Sequence, residues 1–390
     1  MGVLSFLLLV HSSYDVAIIG AGPAGTACAL ALRSSGLRVA LIDRAQFPRD
    51  KVCGDIVPTP ALKALRKLSP ELHDEVLTLT HQAQAPTSCL ITPDGHQILF
   101  HWKGRTFNSP RLHFDEHLLN LVKKHTDTQV MEALPITDVE LFDNHAVITT
   151  SAGATLTARL VIGCDGANSV VSRKLTPRPL DRTRHCVAVR AYFTGVTGMP
   201  ARTNELYFLR EYLPGYFWVF PVGEDLYNVG FGMLSANAAA QKMDLKKALL
   251  RIVKEHPQVA GRFAQATQVS AIGGAGLPLG GSRRPIAGAG FLLAGDAASL
   301  VEPLLGHGID TAIQSGILAA EQAIRCFEKQ DFSAVHMEHY AQEVHQQVGR
   351  KLARNYWLMR FLSNKPRLVS AGFRLAGSPL LQKWLVRAVG

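Results

Sequence analysis

The sequence predicts an α/β fold: a Rossmann-type nucleotide-binding unit, strand-rich stretches set into it, and a helical C-terminal segment. Three observations carry this. Residues 14–43, "YDVAIIGAGPAGTACALALRSSGLRVALID", read as strand, glycine turn, helix and strand. Residues 129–162 and 185–233 are strand-rich, with hairpin turn signals such as Asp143-Asn144 and Ala152-Gly153. Residues 291–324 hold another buried strand, a Gly-Asp pair, a glycine-rich loop and a long helical pattern.

In the first unit, Val16–Ile19 is a short apolar run of the kind found in a buried parallel strand. Gly20, Gly22 and Gly25 follow as G-x-G-x-x-G, then Thr26–Ser34 has helical spacing and Gly36 stops it. Val39–Ile42 is the second strand, closed by Asp43, 23 residues after Gly20. A lone G-x-G-x-x-G is a weak signal, but here the strand before it, the helix after it and the terminal acid are all present. The glycines permit a tight turn and let backbone N–H groups approach a pyrophosphate at a helix N-terminus. Asp43 suits a ribose 2′-hydroxyl and disfavours a 2′-phosphate, so the nucleotide held here is not NADP.

Further along, Leu112, Phe114, Leu118, Leu119 and Val122 give approximate helical spacing after Pro110. Lys242–His256 reads as a helix with Leu245, Leu249, Ile252 and Val253 on one face. "GGAGLPLGG", residues 273–281, reads as a loop, and there is no internal repeat or low-complexity tract.

Composition narrows the class. At 390 residues the chain is long enough for two or three domains, and 47% apolar with 18% charged residues is a globular profile. The net charge of +10 fits an anionic cofactor, an anionic membrane face or a nucleic acid. The charge is uneven: after Glu343 no acidic residue occurs, while nine Lys and Arg follow. With a nucleotide unit present, the first two partners are expected and nucleic acid is not. The six cysteines have no C-x-x-C pair, so reduced thiols in a cytoplasmic setting are expected, with no structural metal. Val3–Val10 is too short an apolar run to span a bilayer and lacks a basic flank, so a signal peptide is not expected. The basic, apolar C-terminal pieces suit either peripheral membrane contact or a solvated helical cap. Oligomeric state is not set by the sequence.

"GAGPAG" at 20–25, "GCDGANSVVSR" at 163–173 and "LLAGDAASLVEPLLGHGI" at 292–309 together resemble the para-hydroxybenzoate hydroxylase-like flavoprotein superfamily. "FPRDKVCGD" at 47–55 and "LPGYFWVFPVGEDLYNVGFG" at 213–232 are similar to its FAD-dependent geranylgeranyl reductase family. The resemblance implies a Rossmann-type FAD-binding domain (14–72, 105–183, 284–345) with an inserted antiparallel-sheet substrate domain (73–104, 184–283). Residues 346–390 follow as a basic helical segment.

It implies FAD contacts at Gly20, Gly22, Ala24, Gly25, Asp43, Arg44, Arg111, Asp165, Gly166 and Asp296, and at Pro303, Gly306, Gly308 and Ile309 in the flavin loop. Backbone N–H groups of that loop suit the charge on a reduced flavin. A second G-x-G-x-x-G is absent, so NAD(P)H binds transiently or another reductant supplies the electrons. Tyr216, Trp218 and Phe220 alternate onto one strand face, which is either plain sheet core or the wall of an apolar tunnel.

The activity implied is reduction of isolated double bonds in a prenyl or similar hydrophobic, lipid-like substrate. An unactivated alkene is a poor hydride acceptor, so a proton must arrive with or before the hydride in a dry pocket. Cys53, with Asp55 to orient it or relay its proton, is a candidate donor; the other reading of Cys53 is small-residue packing. Arg49 and Lys51 are neighbours in sequence that would lower its pKa. His307 reads as a proton carrier or as a spacer whose backbone matters. Lys51, Arg283 and Arg284 are candidates for an anionic head group. The competing activities on this fold are a monooxygenase and a halogenase; the halogenases carry a paired-tryptophan strand, whereas "GYFWVF" has Trp218 alone. A non-catalytic flavoprotein is the remaining alternative.

Overall fold

The structure, a computed structural model, describes residues 13–176 and 181–363. The apolar run Val3–Val10 and the pieces around Pro366, Gly372, Gly377 and Pro379 lie outside the described residues.

The chain opens with β1 (Ser13–Ile19), α1 (Pro23–Ala31) and β2 (Val39–Ile42). Apolar β1 and β2 are buried on both faces, and Pro23 starts α1 where a missing N–H costs nothing. α2 (Thr59–Leu68) and β3 (Thr87–Ile91) follow, then α3 (Arg111–His125), β4 (Gln129–Met131) and β5 (Thr155–Gly163). β6 (His185–Thr194), β7 (Thr203–Tyr207), β8 (Tyr216–Gly223) and β9 (Leu226–Leu234) come next, followed by α4 (Leu245–Glu255). Asp244 caps α4 through the Lys247 N–H. The chain continues through β10 (Gly273–Pro278), β11 (Phe291–Leu293), α5 (Ile309–Lys329), α6 (Ala334–Val344) and α7 (Arg350–Ser363).

One sheet has the parallel order β11-β5-β1-β2-β4, with an antiparallel hairpin (136–150) on β5. Its crevice lies at the C-terminal ends of β1, β5 and β11, where Gly20, Cys164 and Ala294 follow. The second sheet runs β6-β9-β8-β7-β3, with β10 on β6; it is antiparallel except for the β3–β7 pair. One face packs Phe217, Val219 and Phe231 against Leu249 and Ile252 of α4. The other face, carrying Trp218 and Phe220, lines a cavity shared with residues 303–309. The alternation in "YFWVF" is thus a division between this core and a cavity.

One expectation needs correction. Residues 273–278 form a strand, not a loop: β10 pairs with β6 from Gly273 to Pro278. Its glycines are required by close neighbours, since a Cβ at Gly273 would lie 2.6 Å from Val52 Cγ2 and one at Gly276 2.6 Å from His185 Nε2. Toward the end of the described residues, α6, a π turn (His345–Gly349) and α7 form one continuous helical run. Among the described residues no helix is long and apolar enough to cross a membrane.

Candidate active site

The nucleotide turn is built by close approach. Gly20 has φ +105°, and a Cβ there would lie 2.4 Å from the Cys164 carbonyl oxygen; at Gly25 it would lie 1.9 Å from the Gly20 oxygen. A Cβ at Gly22 would instead point into open space, with only an Arg49 nitrogen at 3.6 Å. This leaves a cradle at the α1 N-terminus roofed by a guanidinium. Asp43 is buried and fixed, accepting from Ala21 N (2.8 Å) and Ala45 N (2.9 Å). Each of its oxygens keeps a further lone pair for a ribose hydroxyl. Arg44 lies exposed just after it.

From this turn a path of close contacts runs toward the second sheet. A Cβ at Gly295 would lie 3.2 Å from Ala24 Cβ, and one at Gly308 3.4 Å from Asp296 Oδ1. Asp296 is held by Lys51 Nζ at 3.0 Å. Asp165 flanks the path, accepting from Val170 N (2.6 Å), while its Oδ1 is buried with no partner and burial raises its pKa. Gly166 beside it has φ +79° and open space around it. A glycine cradle, two anchored carboxylates and an orphaned buried oxygen along one path fit an elongated dinucleotide such as FAD. Asp43→Ala is expected to raise the FAD dissociation constant about tenfold by removing one good hydrogen bond and loosening the turn. Equilibrium dialysis of apoprotein with FAD checks this.

The path ends at a cavity of about 550 Å³ with mostly apolar walls. It crosses the free face of the second sheet, from Ser88 on β3 past Leu206, Trp218, Gly232 and Ala188 to Leu277 on β10. Five inter-strand steps give a length of roughly 24 Å. Tyr216, Trp218 and Phe220 stand on this wall, with ring centroids 5.8 and 6.0 Å apart. Cys53, Asp55 and the loop Pro303–Ile309 form the facing wall.

That loop is organised by Glu302, a fully buried residue that sequence reasoning missed. Its carboxylate accepts from Leu304 N (3.0 Å), Leu305 N (2.7 Å) and Asn355 Nδ2 (2.8 Å). Its carbonyl takes the Gly306 N–H, and Tyr216 OH donates to Leu305 O. The loop N–H groups from Leu304 to Gly306 are therefore engaged within the protein. His307 Nδ1 lies 2.8 Å from Asp310 Oδ1, with Nε2 3.8 Å from Glu302 Oε2. Burial alone would push this imidazole down; Asp310 and Glu302 outweigh it and raise its pKa.

A second buried polar network is built around Asp55. Asp55 sits at φ +66°, fully buried. Its Oδ2 accepts from Tyr192 OH (2.8 Å) and Asn228 Nδ2 (2.7 Å), while Oδ1 has no partner. Asn228 also donates to Cys53 O and accepts from Trp218 Nε1 (2.8 Å). Burial pushes the Asp55 carboxyl up to about 6, opposed by Arg190, by those two hydrogen bonds and by Arg111. Arg190, itself buried, donates to Asp50 Oδ1 (2.7 Å) and Lys51 O.

Two sequence expectations are corrected here. Arg49 and Lys51 are not the charges beside Cys53: Arg49 pairs with Asp115 (2.9 Å) and Lys51 with Asp296. The cation that reaches the Cys53 sulfur is Arg111, clamped by both oxygens of Asp115. Burial disfavours the Arg111 charge, but Asp115 more than compensates and raises its pKa. None of Lys51, Arg283 and Arg284 lines the cavity; Arg284 donates to Ser299 and Arg283 is exposed.

The family's FAD binding domain model matches residues 13–354. The chain belongs to this FAD-binding family. A menaquinone reductase of Mycobacterium tuberculosis is 33% identical over 326 residues, covering 80% of this chain and 77% of its own. Digeranylgeranylglycerophospholipid reductase 2 of Methanopyrus kandleri is 28% identical over 345 residues, covering 86% and 83%. Among solved structures, a geranylgeranyl bacteriochlorophyll reductase-like protein of Thermoplasma acidophilum superposes with TM-score 0.79 at 24% identity, covering 90% of this chain and 88% of that one. A flavin-dependent brominase reaches the same TM-score at 20% identity, covering 97% and 93%. At these identities the structural likeness shows the fold, which both kinds of enzyme share. With its family and its reductase-named relatives, the chain is an FAD-dependent oxidoreductase.

Proposed function

We propose that the protein saturates isolated carbon–carbon double bonds in a prenyl or similar lipid chain. The observation that carries this is the cavity: an apolar trough of roughly 24 Å across six strands suits a chain better than a single aromatic ring. Its walls supply binding through buried apolar area, at roughly 25 cal/mol per Å². The reductase names of the relatives support the same reading.

The nucleotide cradle, Asp43, Asp165 and Asp296 would hold FAD, with loop 303–309 toward its reactive end. Reduced FAD supplies the hydride; NAD(P)H or another donor reduces it. The chain's own residues do the rest. The aromatic wall excludes water and orients the alkene. Cys53 delivers the proton as positive charge develops on the more substituted carbon, and the buried Asp55 restores it. His307, locked between Glu302 and Asp310, is a positioning residue for the loop rather than an acid in contact with substrate.

Reducing the FAD-loaded protein anaerobically in deuterium oxide with a polyprenyl lipid is expected to add two deuterons per saturated bond, read by mass spectrometry. Cys53→Ser is expected to lower this rate at least about 100-fold with FAD content unchanged. A hydroxylated or halogenated product formed only in air would overturn the reductase reading. Full reduction by Cys53→Ser would end the assignment of Cys53.

A further inference from the structure

We infer that α7 docks the protein onto an anionic lipid bilayer, placing one end of the cavity at the membrane surface. The helix has two faces with different tasks. Inward, Leu352 is buried, Asn355 donates to Glu302 at 2.8 Å, and Met359 lines the cavity. α7 is therefore tied both to the flavin loop and to the cavity wall.

Outward, Arg350, Arg354, Trp357 and Phe361 are exposed. Steps of four, three and four residues put them in a single stripe along the helix. Trp357 is 66% exposed and Phe361 39%, and their rings stack at 5.5 Å. Two large aromatics in water, one turn apart, run against ordinary surface composition. Arg360 lies beside them, also exposed.

Aromatic rings among arginines suit the boundary between head groups and acyl chains: the rings enter the boundary while the guanidinium groups meet phosphates. Charge complementarity selects an anionic surface. From Val344 to the end, the sequence contains no acid, and Lys365, Arg367, Arg374, Lys383 and Arg387 follow α7. Met359 lines the cavity from the inward side of the same two turns that carry Trp357 and Phe361 outward, so docking brings that end of the cavity within about one helix diameter of the source of an apolar substrate.

The test is co-sedimentation of the FAD-loaded full chain with vesicles of phosphatidylcholine alone or mixed with phosphatidylglycerol. Binding is expected to the mixed vesicles and to weaken with salt. The Trp357→Ala/Phe361→Ala double variant is expected to lose about tenfold or more in partitioning. Its FAD absorbance per chain should stay normal, and Val335→Ala, at an exposed apolar position elsewhere, should bind like the parent. No binding by the parent, or equal binding by the double variant, overturns the inference. So does a dimer that the double variant dissolves while neither protein binds vesicles, because the stripe would then be covered by a second copy. Vesicle binding is read without turnover, so this result and the test of the reductase reading stand apart.

Discussion

Asp55→Asn is expected to lower double-bond reduction by about 10²–10⁴-fold, the usual loss when a positioned acid is removed, while leaving the folded protein at least as stable at pH 7.5. Asparagine is the right replacement because the site needs φ +66°, which Asn tolerates. Its carbonyl can keep the bonds from Tyr192 and Asn228, and its amide falls where Oδ1 has no partner. What disappears is the ionisable proton. The folded protein holds that proton up to about pH 6, against an ordinary value of 3.8, chiefly because the group is buried. The stabilisation is complete below the ordinary value and is lost as pH rises through about 6. By pH 7.5 the parent carries a buried carboxylate that costs about 3 kcal/mol relative to its protonated form. The melting temperature of Asp55→Asn relative to the parent should therefore rise between pH 5 and pH 7.5. The parent's turnover should fall through the same window, and the variant should lack that limb. A variant that melts lower by the same margin at every pH would make Asp55 a structural residue.

How much of this was legible in the sequence depends on the range of the interaction. The turn at Gly20–Gly25 and the face shared by Tyr216, Trp218 and Phe220 were readable, because a glycine turn and a strand's two-residue period are local. The network around Asp55 was not. Tyr192 and Asn228 lie 137 and 173 residues from Asp55, and no spacing announces them. Arg190 gave the one usable signal: a charge within an otherwise apolar strand, "CVAVRAYF", must find a partner when buried. Glu302 was hidden differently. It reads as a loop residue, but its carboxylate replaces the backbone partners that a tight loop lacks. The β10 glycines misled because glycine signals a loop only while its neighbours are unknown; here Val52 and His185 fill the space of the missing side chains.

Gly230→Ala is expected to raise KM for a long-chain substrate at least about tenfold, a loss of about 1.4 kcal/mol in binding, with FAD content nearly normal. A Cβ on Gly230 would lie 2.1 Å from Trp218 Cζ2, a contact no real structure accepts. Backbone pairing of Gly230 with Trp218 fixes the strand, so the indole must move instead, and it stands on the cavity face. Moving it narrows the trough and breaks the Trp218 Nε1–Asn228 Oδ1 bond. Asn228 is then free to turn, and it is the residue that ties the Cys53 carbonyl to the Asp55 carboxylate. One methyl group thus acts on both substrate fit and proton delivery, so kcat should fall together with the rise in KM. Overpacking should also cost about 1–3 kcal/mol of stability. Adding Trp218→Phe makes room for the methyl, so the double variant should bind long chains better than Gly230→Ala alone, a non-additivity expected of neighbours in contact. Short-chain substrates that do not reach past Trp218 should keep the parent KM. Equal losses for long and short chains would place Trp218 in the sheet core rather than on the wall of a chain-length-sensing trough.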